Sequence, residues 1–214
     1  MNYKGKLLLA ASLLSGVLCG AAQAQENVIK FGVSRYTTNS KSSGVVGPGI
    51  PVGADAETGD STTVFLEFER FITPNIGVEL AIGIPPRIKA KATGTVAFLG
   101  EDILSAKVVS PTVFATYHFG NTGDTWRPLI GLGLNYTRFT NIESRLAPDV
   151  QMSDSVGPAL KLGFDYSLSK EWNLVASVTA LKVKSDVVAT GATVLTTTID
   201  FRPLVFSVGA AYKF

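Results

Sequence analysis

The sequence predicts an all-β fold, an eight-stranded antiparallel up-and-down transmembrane β-barrel, on three observations. Large apolar residues alternate with small or polar ones in eight segments, which is the period of a β-strand. Short and long connections follow one another strictly, so all the long loops emerge at one end, as in outer-membrane barrels. Finally, the large apolar residues share one nearly uncharged face, while the charged residues share the opposite face.

The composition excludes several other classes of protein. Of the 214 residues, 46% are hydrophobic and 17% are charged, below the roughly 25% of ordinary soluble domains. A charge-rich disordered chain is therefore excluded. No cluster of Lys and Arg stands out, so we expect no nucleic-acid partner. After residue 24, no apolar stretch approaches the roughly 20 residues of a membrane-spanning helix.

The first 24 residues have the features of a secretory signal peptide. Two lysines precede the apolar stretch 7–18, and Ala22-Gln23-Ala24 forms a small-residue cleavage site. We therefore predict a cleaved segment 1–24 and a mature barrel of residues 25–214. Lipid attachment at Cys19 is the alternative, but Leu18 is a poor residue before such a site and Ala24 offers a better cleavage point.

Cleavage changes the charge and the chemistry of the chain. It removes two of the 19 basic residues and no acidic one, which leaves 17 of each sign and a net charge of zero. It also removes the only cysteine, so we expect neither disulfides nor thiolate chemistry in the mature protein. A neutral chain is also unsuited to attracting an anionic polymer.

The eight candidate strands follow from the alternation. They cover residues 27–37, 61–72, 76–87, 107–119, 128–139, 157–168, 172–184 and 199–214. In the second and third, Val64, Leu66, Phe68, Ile76, Val78, Leu80 and Ile82 oppose Phe65, Glu67, Glu69, Gly77, Glu79, Ala81 and Gly83. In the fifth, sixth and eighth, a face rich in Leu, Ile, Val and aromatic residues opposes one that carries Gly131, Gly133, Lys161, Asp165 and Lys213.

The connections distinguish a barrel from a β-sandwich, which would also alternate. Residues 73–75, 120–127 and 169–171 form short turns, whereas residues 38–60, 88–106, 140–156 and 185–198 form long loops. A Greek-key sandwich has no reason to produce this order. Apolar residues outside and charges inside suit a barrel in lipid, whose closure satisfies every backbone group. An aromatic girdle is expected at the short-turn end, formed by Trp126, Tyr166, Trp172, Tyr212 and Phe214.

Four stretches carry a resemblance to a known family. They are Ser110-Pro111-Thr112 leading to Tyr117-His118-Phe119; the glycine-rich run from Arg127 to Thr137; Gly163-Phe164-Asp165-Tyr166 followed by Trp172; and the ending from Gly209 to Phe214. On these residues the chain resembles the outer-membrane protein W (OmpW) family, which includes the alkane-import protein AlkL. The resemblance implies an eight-stranded barrel in the outer membrane of a Gram-negative bacterium, with an apolar passage for small hydrophobic molecules. It also implies that the barrel assembly machinery reads the ending with Tyr212 and Phe214.

Enzymatic chemistry is not expected. His118 is the only histidine and lies near a turn at the periplasmic end, and no spacing ties it to Ser110 or Ser167 as a hydrolase would require. One histidine and no mature cysteine make a metal centre or a cofactor unexpected. Weak calcium binding by the loop carboxylates Asp55, Glu57 and Asp60 stays open.

The inward face predicts a charged floor and an apolar passage above it. The floor residues are Lys30, Glu69, Glu79, His118, Asp165 and Lys213, whose opposite charges should pair and block free flow. Above them, the passage would be lined by Phe65, Ala81, Gly83, Phe114, Gly131, Gly133 and Leu181. The glycines should leave room for one slender apolar ligand. The alternative is a solid filling of side chains, since an eight-stranded barrel is only just wide enough to enclose them.

Prolines suggest a lateral exit. Pro85 and Pro86 end the third strand and Pro111 begins the facing part of the fourth, so these strands should pair badly there. We therefore predict a monomeric channel that admits a small hydrophobic solute and releases it sideways into the outer-membrane lipid. Two alternatives are a non-transporting structural or adhesion barrel that acts through its loops, and a lipid-modifying enzyme.

Overall fold

The computed structural model describes residues 26–191 and 194–214. The predicted signal peptide of residues 1–24 lies outside the described residues. Among the residues that are described, no helix has the length and apolar character needed to cross a membrane.

Fifteen strands account for most of the described chain. In chain order they are β1 (Asn27–Thr37), β2 (Lys41–Ser42), β3 (Ala54–Thr58), β4 (Ser61–Phe71), β5 (Ile76–Gly83), β6 (Arg87–Gly94), β7 (Leu104–Val109), β8 (Thr112–His118), β9 (Trp126–Ser144), β10 (Asp149–Met152), β11 (Ser155–Ser167), β12 (Trp172–Leu181), β13 (Val183–Thr190), β14 (Val194–Phe201) and β15 (Leu204–Lys213). A 3₁₀ turn at Ala97–Leu99 lies between β6 and β7.

Eight of these strands close into an antiparallel barrel, which confirms the predicted fold. The order around the wall is β11, β12, β15, β1, β4, β5, β8 and β9, and β9 pairs with β11 to complete the circle. The first and last barrel strands also meet in this wall, because Asn27 and Phe214 exchange two backbone hydrogen bonds of 3.1 and 2.9 Å. Closure leaves no strand edge, as the hydrocarbon of a membrane requires.

The prediction that the four long connections are loops was wrong for about half or more of the length of three of them; connection 38–60 contains only the short strands β2 and β3. The wall continues beyond the barrel as two extensions, one with the order β9, β7, β6, β3 and one with the order β10, β13, β14, β2. The alternation that marks these strands is present in the sequence: Val183, Ser185 and Val187 are buried, while Lys184 and Asp186 are exposed. Antiparallel pairs that leave the barrel side by side can keep their hydrogen bonds, so the hairpins extend the wall.

The predicted division of the two faces is confirmed. Leu132 and Leu134 on β9 are each 66% exposed on the outer surface, whereas Glu69 and Glu79 are fully buried inside. This inverts the arrangement of a soluble barrel and is stable only where lipid, rather than water, surrounds the wall.

Aromatic pairs ring the short-turn end of the wall, where the girdle was predicted. Trp126 packs against Tyr166 with a centroid distance of 4.8 Å, and Trp172 packs against Tyr212 at 5.0 Å. Both are cross-strand neighbours in the ladder. Such amphipathic rings are stable at the level of the lipid head groups.

Removal of Phe214 should impair assembly more than it lowers the stability of the assembled barrel. The deletion removes the terminal aromatic ring and two backbone hydrogen bonds to Asn27, but it leaves β15 paired on both sides. We expect less heat-modifiable protein in cells, while unassisted refolding into detergent stays close to that of the full chain. Phe214→Tyr is the matched control. An equal loss in both assays would show that Phe214 acts only through stability.

Candidate functional site

A network of buried charges crosses the lower barrel. Lys30 of β1 places its Nζ 2.8 Å from Glu69 Oε2 and 2.7 Å from Glu79 Oε2. From the opposite wall, Lys161 of β11 places its Nζ 2.8 Å from Glu67 Oε1 and 2.5 Å from Glu79 Oε1. Glu79 therefore bridges the two lysines, and the ion pairs connect opposite sides of the lumen.

His118 extends this network toward the short turns. Its Nε2 lies 2.9 Å from Glu69 Oε1 and its Nδ1 lies 3.1 Å from Asp165 Oδ2. The ring also packs on Phe71 with a centroid distance of 4.8 Å, and Thr116 donates a hydrogen bond to Glu69. Because both ring nitrogens face carboxylates, neither is available to activate a hydroxyl group.

The floor differs from the predicted set at three positions. Lys213 lies apart from it and pairs with Glu26 at 3.5 Å. Glu67 and Lys161 belong to it, although they were assigned only to the inward face. The alternation of residues shows whether a side chain points into the lumen or outward. It does not show which inward charges contact each other, because those contacts depend on the register of strands far apart in the chain. Within residues 26–191 and 194–214, no cluster of three or more His, Cys, Asp or Glu is arranged to hold a metal ion.

Above the floor, the lumen contains a cavity with almost wholly apolar walls. Its empty volume, counted with its open mouth, is about 480 Å³. The walls are formed by Tyr36, Thr38, Pro86, Ile88, Val108, Ser110, Thr137, Phe139, Leu181, Val183, Phe201 and Pro203. Most of these residues were missed by the sequence analysis, because they lie where the barrel strands pass into the extensions. We call this space the upper cavity.

A second cavity connects the upper one with the floor. This lower cavity of about 430 Å³ shares Tyr36, Ser110 and Leu181 with the upper cavity, and its base is formed by Glu67 and Lys161. Four residues of the predicted passage line it, namely Phe65, Ala81, Phe114 and Leu181. Its mixture of polar and apolar walls marks the transition from the passage to the floor.

The glycines of β9 have a different effect from the one predicted. A Cβ added at Gly133 would stand 2.6 Å from the ring of Phe114, and one at Gly131 would stand 3.4 Å from it. Phe114 is only 1% exposed, and Lys161 Nζ lies 4.9 Å from its ring centroid. The glycines thus make room for this ring, and the space for a ligand lies higher in the lumen.

The wall is interrupted where the prolines lie. The β5–β8 ladder ends at Ala81 and Thr112, and pairing resumes one register step out of phase at Arg87 and Lys107. Within the described residues, no backbone hydrogen bond joins residues 82–85 to residues 109–111. Gly83, an inward position, is exposed as a result. We call this interruption the lateral gap; Ile82, Pro86, Ser110 and Thr112 at its edges also line the cavities.

The prolines contribute to the lateral gap unequally. Val108 donates a hydrogen bond of 2.9 Å to the Pro86 carbonyl, so the missing N–H of Pro86 is a donor lost toward β7. Tyr136 donates a bond of 3.0 Å to the Pro111 carbonyl, so the missing N–H of Pro111 faces β9 instead. Pro85 lies at the step in register between β5 and β6. Pro111 therefore removes a hydrogen-bond donor on the side of β8 that pairs with β9, which we call the closed side, and not on the side that faces the lateral gap.

A buried polar cluster stabilises that closed side. Asn135 Nδ2 donates hydrogen bonds of 2.8 Å to Ser110 Oγ and to Thr112 Oγ1. Thr137 Oγ1 donates a bond of 2.7 Å to Asn135 Oδ1. These side-chain bonds supply the attachment to β9 that Pro111 cannot, so one edge of the lateral gap is fixed in place.

The loop carboxylates proposed for calcium each have another partner. Asp60 pairs with Arg35 at 3.0 Å and Glu57 pairs with Lys91 at 3.2 Å. Asp55 accepts a hydrogen bond of 2.7 Å from the Ala56 amide. These contacts account for the three carboxylates without a cation.

Comparisons with known proteins agree with this geometry. A model of the OmpW family matches residues 23–214. Outer membrane protein W of Vibrio cholerae is 31% identical over 219 residues, with 98% of this chain and 97% of that protein covered. Outer membrane protein AlkL of Ectopseudomonas oleovorans is 27% identical over 170 residues, with 79% of this chain and 73% of that protein covered. The crystal structure of OprG from Pseudomonas aeruginosa superposes with a TM-score of 0.82 at 25% identity, covering 90% of this chain and 97% of that one.

Proposed function

Because the chain belongs to the OmpW family of outer-membrane barrels, we propose that it carries small hydrophobic molecules through its apolar upper lumen and releases them sideways into the bilayer. The observation that carries this proposal is the placement of the lateral gap, whose edges line both cavities. An apolar solute in the upper cavity would therefore have a route into lipid that avoids the charged floor.

The upper cavity suits a solute that is bound by burial rather than by hydrogen bonds. Phe139 and Phe201 pack with a centroid distance of 5.7 Å and, with Val183, belong to a hydrophobic cluster that reaches down to Phe114. Apolar walls of this kind favour slender aliphatic or aromatic molecules. Such a solute would gain little binding free energy from one specific orientation, so it could leave the cavity easily.

The floor supports a lateral rather than an axial exit. To continue downward, an apolar solute would have to separate the ion pairs of Lys30 and Lys161 with their glutamates, which are all buried. Breaking a buried ion pair leaves an uncompensated charge in a medium of low dielectric constant, and an apolar molecule supplies nothing in return. The lateral gap presents no such barrier.

A reversible lock across the lateral gap tests the route. Gly83 and Ser110 would be the next inward-facing partners if the β5–β8 ladder continued, and the predicted mature chain has no cysteine. We expect the double variant Gly83→Cys, Ser110→Cys, once oxidised, to lower uptake of a fluorescent hydrophobic probe into vesicles to the level of protein-free vesicles. A reductant should restore it.

The matched control places the lock in the closed wall. Val78→Cys with Ala115→Cys joins the same two strands at outward-facing partners that line neither cavity, so its oxidation should leave uptake unchanged. Uptake that persists in the oxidised gap variant would refute the lateral route. A wild-type protein that does not accelerate probe uptake at all would favour the alternative of a structural or adhesion barrel.

A further inference from the structure

Cations encircle the outer surface one step above its apolar band. Above the apolar band, the first charged outward residue is basic on six of the eight wall strands or their continuations within the described residues. These residues are Arg35, Arg87, Lys107, Arg138, Lys182 and Arg202. On the other two strands, the first outward charge above the band is acidic, Asp60 or Asp154. On β4, Arg70 lies below the band, near the short turn. We call the six cations the basic collar.

Part of the basic collar is already neutralised by carboxylates. Arg35 pairs with Asp60 at 3.0 Å, and Arg202 pairs with Asp200 at 2.7 Å. The hydrogen bond from Arg202 lowers the pKa of Asp200, so this carboxylate is ionised at neutral pH. These positions therefore have little charge left to offer a ligand.

The three neighbouring cations Arg87, Lys107 and Arg138 are less completely paired with carboxylates than Arg35 and Arg202. Arg87 and Lys107 are direct cross-strand partners. Arg138 pairs with Val109, so it lies diagonally from Lys107 on the same outer face. Arg87 is bound to Glu143 at 2.8 Å, and Glu143 also attracts Lys107 through space. The side chains of Lys107 and Arg138 form no direct hydrogen bond or ion pair with a described residue. Like charges placed opposite one another destabilise a sheet unless an anion lies between them.

The position of Arg87, Lys107 and Arg138 just above the apolar band indicates which anion they would bind. Directly below Arg138 on the same face of β9 are Tyr136, Leu134 and Leu132, which are all exposed to lipid. Below Lys107 and Arg87 are Val109 and Ile84, which are also exposed and apolar. The cations therefore lie where acyl chains end and head groups begin. Phosphate is the anionic group at that level of a bilayer, and Arg and Lys are its usual partners.

We propose that Arg87, Lys107 and Arg138 bind the phosphate head group of an anionic lipid of the outer leaflet, whose acyl chains lie along the apolar residues below them. The lipid would supply a direct anionic partner for Lys107 and Arg138, and the apolar band would anchor its chains. This proposal is independent of the route taken by a solute.

The test compares two lipids with the same chains. The full-length mature protein is placed in nanodiscs of dioleoyl phosphatidylcholine that contain a minor fraction of dioleoyl phosphatidic acid, and the retained lipids are counted by native mass spectrometry. Wild type should retain phosphatidic acid in preference to phosphatidylcholine. The double variant Lys107→Gln, Arg138→Gln should bind it at least about tenfold more weakly, the effect of losing one charge-assisted hydrogen bond.

Two control variants separate the site from charge in general. Lys89→Gln with Lys91→Gln removes two cations from the same sheet at a greater height, where they pair with Asp102 and Glu57, and should retain the lipid. Lys107→Arg with Arg138→Lys keeps both charges and should also retain it. Equal weakening in the Lys89/Lys91 control, or equal retention of phosphatidylcholine by wild type, would overturn the proposal. Inorganic phosphate is the last arm: if it displaces phosphatidic acid at equal concentration, the site binds a free anion and not a lipid.

Discussion

Leu132→Arg should lower the free energy of unfolding by about 2–4 kcal/mol, the cost of an arginine facing lipid near the middle of the bilayer. Leu132 is 66% exposed on the outer face of β9, and its strand neighbours on that face are apolar. A charged side chain there must either lose its hydration or distort the lipid around it. The measurement is a urea titration of the protein refolded in lipid vesicles.

The control for this substitution uses depth. Val109 also faces outward but lies beside the basic collar, so Val109→Arg should cost only about 0–1 kcal/mol. If the two substitutions destabilise the barrel equally, depth in the bilayer has no role, and the apolar band does not end at the basic collar.

Lys161→Met should destabilise the barrel by about 3–5 kcal/mol, because it leaves buried carboxylates without their cation. Lys161 Nζ lies 2.8 Å from Glu67 Oε1 and 2.5 Å from Glu79 Oε1. The lumen then holds more negative charge than its remaining lysine can balance. The readouts are the same urea titration and single-channel conductance, which should rise as water enters to hydrate the carboxylates.

A compensated variant shows whether charge or packing is responsible. Lys161→Met combined with Glu67→Gln removes one charge of each sign and should recover part of the lost stability and lower the conductance again. The exposed pair of Lys89 and Asp102 provides the comparison outside the lumen: Lys89→Met should change stability by less than about 0.5 kcal/mol. A small effect of Lys161→Met would contradict the view that the floor is an interdependent network.

The sequence was sufficient for the barrel and for the direction of its side chains. Period-two alternation determines direction residue by residue, so the inward placement of Glu69, Glu79 and Asp165 could be predicted without knowing any partner strand. The alternation of short and long connections, together with the apolar outer face, likewise pointed to the outer membrane, and membership of the OmpW family agrees with it.

What could not be predicted depends on register. Whether Lys161 meets Glu79 depends on strands that are 82 residues apart in the chain, and alternation carries no information about their relative height. The same limit applies to Pro111: its sequence position places it at the gap, but only the pairing with Tyr136 reveals which neighbouring strand loses a donor. That Gly133 makes room for the ring of Phe114 also could not be predicted, because the two residues lie on different strands.

The sealed floor has a consequence for the cell that carries this protein. A pore that conducts water also conducts nutrients, ions and toxic solutes of similar size, so its abundance is limited by the permeability barrier that the outer membrane must maintain. Here paired lysines and glutamates cross the lumen, and the proposed exit is the lateral gap between β5 and β8. Copies of this barrel could therefore accumulate in number without making the envelope leakier to charged or hydrophilic compounds.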